Sequence, residues 1–181
     1  MSSTLKKIIL AVGIIALILF MGLIGFAWYM GAFSSVDITT AEKGPYHFIY
    51  MEHLGPYYEV VNKINEVENY LKKHNIEYKN AAGIYFDDPA KVKEEDLKSY
   101  AGFIVNDSLA VEKPFHYTKI NRRQVVVAKI EAFPMIAPFK VYPAFHEWLE
   151  NNKNIEIVAP PLELYFPEHI VEVHFAFQKK M

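Results

Sequence analysis

From Ile8 to Met30 the chain runs for 23 residues without a charged side chain. At about 1.5 Å per residue, a helix of that length reaches roughly 34 Å, enough to cross a hydrocarbon core of about 30 Å with some tilt. No polar face interrupts it, so it does not read as the amphipathic helix of a soluble core. A cleaved secretory signal would carry an apolar stretch of about 7–15 residues and then a small-x-small cleavage site. Gly31-Ala32-Phe33-Ser34 matches that site poorly. The sequence therefore predicts an uncleaved anchor over residues 1–30, with the span itself at 8–30 and the lipid bilayer as its partner. Trp28 and Tyr29 stand at its far end, where amphipathic rings favour the headgroup region. Lys6 and Lys7 precede the span, and the first basic residue beyond it is Lys43. That bias predicts a cytoplasmic N-terminus, with the remainder of the chain on the non-cytoplasmic side.

Beyond the anchor the composition changes. Residues 31–181 hold 17 basic against 21 acidic side chains, a formal charge of −4. A surface that neutralises phosphates needs the opposite balance, so no nucleic-acid partner is expected. The absence of cysteine removes a disulfide scaffold, a thiolate zinc site and a cysteine nucleophile. Residues 31–44, rich in Ser and Thr, read as a tether, and 45–181 as the working domain.

Within that domain one pattern occurs twice. His47 to His53 is rich in strand formers and is stopped by Gly55-Pro56. Val60, Ile64, Val67 and Leu71 then recur at helical spacing. Strands are predicted at Asn80 to Phe86 and Tyr100 to Val105. About 79 residues later the order returns. Gln124 to Glu131 reads as a strand, and Ala144 to Asn152 as a helix carrying Phe145, Trp148 and Leu149 on one face. Leu162 to Phe166 and Ile170 to Gln178 read as two more strands. Pro138 and Pro143 blur the start of the second helix. The expectation is an α+β fold of two strand-helix-strand-strand (SHS2-type) units.

Several short strings resemble a known family in the right order. Gly83-Ile84-Tyr85-Phe86-Asp87-Asp88-Pro89 followed by Tyr100-Ala101-Gly102-Phe103, the Gly55-Pro56-Tyr57 turn, Trp148-Leu149-Glu150 and Pro161-Leu162-Glu163-Leu164-Tyr165 resemble a gyrase-inhibitor-like (GyrI-like) effector-binding domain. The resemblance covers residues 45–179. It implies paired units in one continuous sheet, helices on one face, and a cleft for a small-molecule ligand on the other. Where the family often has a glycine-bearing turn after the second unit's first strand, this chain has Ala132-Phe133-Pro134.

Strand alternation puts Glu163 and Tyr165 on one face and Leu162 and Leu164 on the other. With the leucines towards the helices, Glu163 would face the cleft. The matching positions in the first unit are Gly83 and Tyr85, so a carboxylate stands opposite a residue without a side chain, with two tyrosines near. A carboxylate in an aromatic cavity suits a lipophilic cation through charge pairing and cation–π contact, and the resemblance also places a ligand-contacting Glu here. The candidate ligand-binding residues are Glu163, Tyr165, Tyr85, Tyr50, Tyr100, Phe103 and Phe175, while Trp148 reads as core. No catalytic residue, metal or cofactor is assigned. His146-Glu147-Trp148-Leu149-Glu150 lacks the second histidine of a helical zinc site, and no nucleophile elbow or phosphate-cradling glycine loop occurs. The favoured reading is a membrane-tethered module that binds a lipophilic or cationic small molecule. Two alternatives follow from the resemblance: a hydrolase of reactive small electrophiles that uses the cleft Glu, and a membrane-anchored interaction or receptor protein.

Overall fold

A computed structural model describes residues 2–180. Helix α1 (Ser3–Tyr29) is capped by the Ser2 hydroxyl, which accepts from the Leu5 N–H, and none of its residues is buried. The remainder is a mixed α+β domain. Its strands are β1 (Asp37–Lys43), β2 (Tyr46–Leu54), β3 (Tyr78–Tyr85), β4 (Lys98–Val105), β5 (His116–Ile120), β6 (Arg123–Glu131), β7 (Ile155–Ile157), β8 (Leu162–Tyr165) and β9 (Ile170–Lys179). Its helices are α2 (Val60–Lys73) and α3 (Ala137–Asn151). All strand pairs are antiparallel, in the order β1-β6-β9-β8-β3-β4-β2-β5, with β7 beside β9.

The two ends of that order meet. Only Gly44 and Pro45 separate β1 from β2, and only Asn121 and Arg122 separate β5 from β6. The β1–β6 and β2–β5 pairs keep a single register, with Lys43 opposite Arg123 and Tyr46 opposite Ile120. Residues 37–50 and 116–129 thus form one antiparallel ribbon with a corner in it, and the sheet curls round until it returns on itself. Twist and curvature of this degree bury both faces.

One face is covered by the helices. Val67 and Leu71 of α2 pack on Ile49, Met51, Phe103 and Val105. Val141 and Phe145 of α3 pack on Val126, Ile130, Val171, Val173 and Phe175. The other face holds a separate cluster of Phe48, Tyr50, Ala82, Ile104, Leu162 and Leu164. Leu162 and Leu164 therefore turn away from the helices, the reverse of the expected assignment. Alternation decides which residues share a face, but on a sheet buried on both sides it does not say which face the helices cover.

The first half runs β2-α2-β3-β4, and the second runs β6-α3-β7-β8-β9, with the short β7 standing between helix and strand. Reading outward from the β3–β8 pair, the first half presents β3, β4 and β2 in turn and the second β8, β9 and β6. Helix α3 begins seven residues before the expected start. Pro138 lies in its first turn, where an N–H has no partner to lose, and Pro143 removes one interior donor without ending the helix.

A second correction concerns the tether. Its latter half is β1, which pairs along its whole length with β6. Ser and Thr made the segment look like a linker, yet Thr39 and Thr40 are β-branched and suit an edge strand. Without β1, the Val125-Val126-Val127 run of β6 would be an open apolar edge. A chain beginning at Ser35 should be monodisperse by size-exclusion chromatography. One beginning at Pro45 should self-associate and melt lower by about 5 °C or more, the effect of losing about 1 kcal/mol or more.

Candidate functional site

Glu163 and Gly83 stand directly opposite each other in the β3–β8 pair. This central pair has one carboxylate and one empty position, and the space above the glycine is filled by Tyr85. A Cβ on Gly83 would lie 2.8 Å from Tyr85 Cε2 and 2.9 Å from its hydroxyl. Lacking a side chain there, the strand lets the Tyr85 ring fold back, and its hydroxyl meets that of Tyr165 at 2.8 Å. Tyr165 donates to Glu163 Oε2 at 2.9 Å, and Tyr142, reaching across from α3, donates to Oε1 at 2.8 Å. Tyr57 sets its ring edge on Tyr85, with centroids 4.8 Å apart, and its hydroxyl is tied to the backbone of Asp87 and Lys98.

Glu163 is 3% exposed, and among the described residues no ion pair involves it. A buried carboxylate without a cation is an expensive arrangement. Desolvation raises its pKa above the ordinary carboxylate range, and the hydrogen bonds from Tyr142 and Tyr165 offset this only in part. The same burial, added to the nearby carboxylate charge, pushes the hydroxyls of Tyr142, Tyr165 and Tyr85 far above their usual value, so all three remain donors. The result is a caged carboxylate walled by phenol rings and held beneath α3.

The other candidate residues are distributed differently. Phe175 adjoins the site, 5.7 Å from the Tyr142 ring and stacked on Phe145 at 3.6 Å. Phe103 belongs to the core beneath α2. Tyr50 and Tyr100 stack on each other at 4.4 Å on the opposite face of the sheet, away from Glu163. Lys98 already places its ammonium 5.5 Å from the centre of the Tyr100 ring. Trp148 packs against the core under α3. His169 stacks on Phe133 and His174 is buried beside Glu172, so the two histidines serve separate neighbourhoods. Among the described residues no group of three or more metal-ligating His, Cys, Asp or Glu side chains forms.

Two members of the site escaped the sequence reading. Tyr142 lies between Pro138 and Pro143, where helical periodicity was obscured, and Tyr57 lies in the turn after β2. Their common signal is a tyrosine next to a proline, in the turn before α2 at Pro56-Tyr57 and inside α3 at Tyr142-Pro143.

Residues 36–173 match the GyrI-like small molecule binding domain, and the chain belongs to that family. No curated protein matches it. Among solved structures it is similar to the C-terminal domain of EcmrR, with 16% identity, 80% of this chain and 99% of that chain covered, and a TM-score of 0.67. Against EcmrR in its DNA complex with RPo the TM-score is 0.68 at 15% identity, and the match covers 80% of this chain but only 58% of that longer one. It is also similar to SAV2435 bound to tetraphenylphosphonium, with 10% identity, 78% and 94% covered, and a TM-score of 0.56. A hydrolase from Listeria innocua aligns at 8% identity, with 80% and 93% covered and a TM-score of 0.55. At these identities the likeness is one of fold. The family defines the domain as a small-molecule-binding module.

Tyr142→Phe should leave one buried carboxylate oxygen without its donor, at a cost of about 1–3 kcal/mol in urea unfolding. The raised pKa of Glu163 fixes the sign of a pH effect. The folded state holds the Glu163 proton more tightly than the unfolded chain, so this group's contribution to stability is fully present below the ordinary carboxylate range. It is lost as pH rises through the raised value. The Glu163→Gln protein should lack that decline, and its stability advantage over wild type should grow with pH in parallel urea titrations.

Proposed function

We propose that this GyrI-like domain is held at a membrane by α1, with its N-terminus in the cytoplasm, and that it binds lipophilic organic cations over Glu163. The observation that carries the ligand class is the buried carboxylate, ringed by Tyr57, Tyr85, Tyr142 and Tyr165 and lacking a cationic partner among the described residues. A monocation with an aromatic or aliphatic body would replace the missing counter-charge and lay its apolar surface on the rings. Tetraphenylphosphonium, bound by SAV2435 on the same fold, is a ligand of that class. The formal −4 of residues 31–181 favours cations over anions and over nucleic acid.

Support for an uncleaved anchor comes from the junction. Gly31 adopts φ +82°, and a Cβ there would meet the Ala132 Cα at 2.5 Å, so helix and domain are fitted against each other. The Met30 carbonyl accepts from the Phe133 N–H at 3.1 Å and the Ala32 carbonyl from Lys140 Nζ at 3.1 Å. Cleavage in this stretch would remove contacts that the domain makes.

Hydrolysis of an electrophile by the same groups is the competing chemistry. Both oxygens of Glu163 already accept phenol hydrogens, which suits a site that waits for charge better than one that activates water. The test measures tetraphenylphosphonium and the neutral triphenylphosphine oxide against wild-type and Glu163→Gln protein in nanodiscs. Charge pairing in a partly desolvated site is worth on the order of 2 kcal/mol, about thirtyfold in Kd. The substitution should cost the cation that factor and the neutral analogue little. Cation affinity in the wild type should rise with pH through the raised pKa of Glu163. Equal affinities for both probes in both proteins would remove Glu163 from the ligand site.

A further inference from the structure

The end of α1 is surrounded by large apolar side chains that the domain does not bury. Trp28 is 74% exposed, Phe33 63%, Met135 68% and Phe139 79%. One such residue on a surface is ordinary, but these four gather at one place. The Trp28 and Phe33 rings lie 6.2 Å apart. Phe133 receives Tyr29 at 5.3 Å and stacks on His169 at 3.7 Å. The bond from Lys140 Nζ to the Ala32 carbonyl brings the first turn of α3 beside residues 30–33. Met135 lies in the turn two residues before α3 and Phe139 in the first turn of the helix, and both are exposed.

From this placement we infer that the domain rests on the bilayer, with Phe33, Met135 and Phe139 seated in the headgroup region beside Trp28. The inference rests on reading α1 as a membrane anchor. It goes further by giving the domain a fixed face towards the lipid. The occupant follows from continuity. From Ile8 to Tyr29 α1 carries no charge and none of its residues is buried, so on that reading the hydrocarbon ends near Trp28. A partner seated on Met135 and Phe139 would have to occupy the headgroup layer at that point. With α1 spanning a bilayer, lipid headgroups fill that layer. Aromatic and long apolar side chains on a short turn are suited to this zone, where an apolar face sinks about 5–10 Å towards the acyl boundary. The turn that carries Met135, Pro134-Met135-Ile136, leads directly into α3, and Tyr142 lies three residues beyond Phe139. A lipophilic ligand dissolved in the bilayer would therefore meet the lid of the Glu163 site without crossing bulk water.

The chain has no cysteine, so single nitroxide labels can be placed without background on Ile14→Cys, Leu54→Cys, Met135→Cys and Phe139→Cys. Ile14 is in mid-α1, and Leu54 is exposed at the far end of the β1–β2 run from the junction. The full chain is reconstituted in phosphatidylcholine nanodiscs, and oxygen and nickel-chelate collision rates give the depth of each label. The expected result is Ile14 deep in the hydrocarbon, Met135 and Phe139 about 5 Å or more below the phosphates, and Leu54 in water. Ile14 deep with Met135 and Phe139 as wet as Leu54 would overturn the docking and leave the anchor standing. Ile14 in water would overturn both. Labels at 135 and 139 shielded from both quenchers would place a protein on the patch, and would equally end the proposal.

Discussion

The ribbon formed by residues 37–50 and 116–129 controls the rest of the architecture. Because its two segments hold one register through the corner at Gly44-Pro45 and Asn121-Arg122, the sheet has to curl, and curling gives every central strand two buried faces. On one face two helices find their seats. On the other, Phe48, Ile104, Leu162 and Leu164 pack with Tyr50 and Ala82. Four-residue β8 is then buried on both sides, and the one polar residue it carries, Glu163, is removed from water by the fold itself.

That enclosure makes the site reactive to charge. A carboxylate on an open surface would be screened and hydrated, and a cation would gain little by approaching it. Under α3 it has only phenol hydrogens to substitute for water. Three tyrosines keep the anion soluble in the core without neutralising it, and their rings present aromatic surface in the same direction. On the proposed reading, stability and recognition oppose each other at this residue, a common relation at functional positions.

Much of this was legible in the chain. The Val60, Ile64, Val67, Leu71 stripe is α2, and the Val-rich run from Gln124 is β6. The pairing of Gly83 with Glu163, and the nearness of Tyr85 and Tyr165, followed from the echo between Ala82–Phe86 and Leu162–Phe166. The misplaced strand residues share one cause, which is burial on both sides of the sheet. Tyr50 and Tyr100 look like Tyr85 and Tyr165 in sequence, since all are tyrosines on strands, yet they occupy the opposite face. Alternation has no absolute sign, so the helices had to be seen before Leu162 and Leu164 could be oriented. Tyr142 lies in a helix whose periodicity Pro138 and Pro143 mask in the sequence, and β1 is an edge strand whose identity depends on a partner 80 or more residues away.

The meeting of Gly83 and Glu163 has a consequence for symmetry. Outward from their pair the sheet runs β9 then β6 on one side and β4 then β2 on the other, so they stand at the middle of the strand order. If two identical chains formed such a midpoint, whatever one contributed the other would repeat, and a carboxylate there would confront its own copy at repulsive range. Such a pair would share a proton or demand a dication. One polypeptide carrying both halves is free of that requirement. It can be acidic on one side and bare on the other, and the bare side admits a ring. A central position thereby holds a single carboxylate, and the proposed monocation would match it in magnitude.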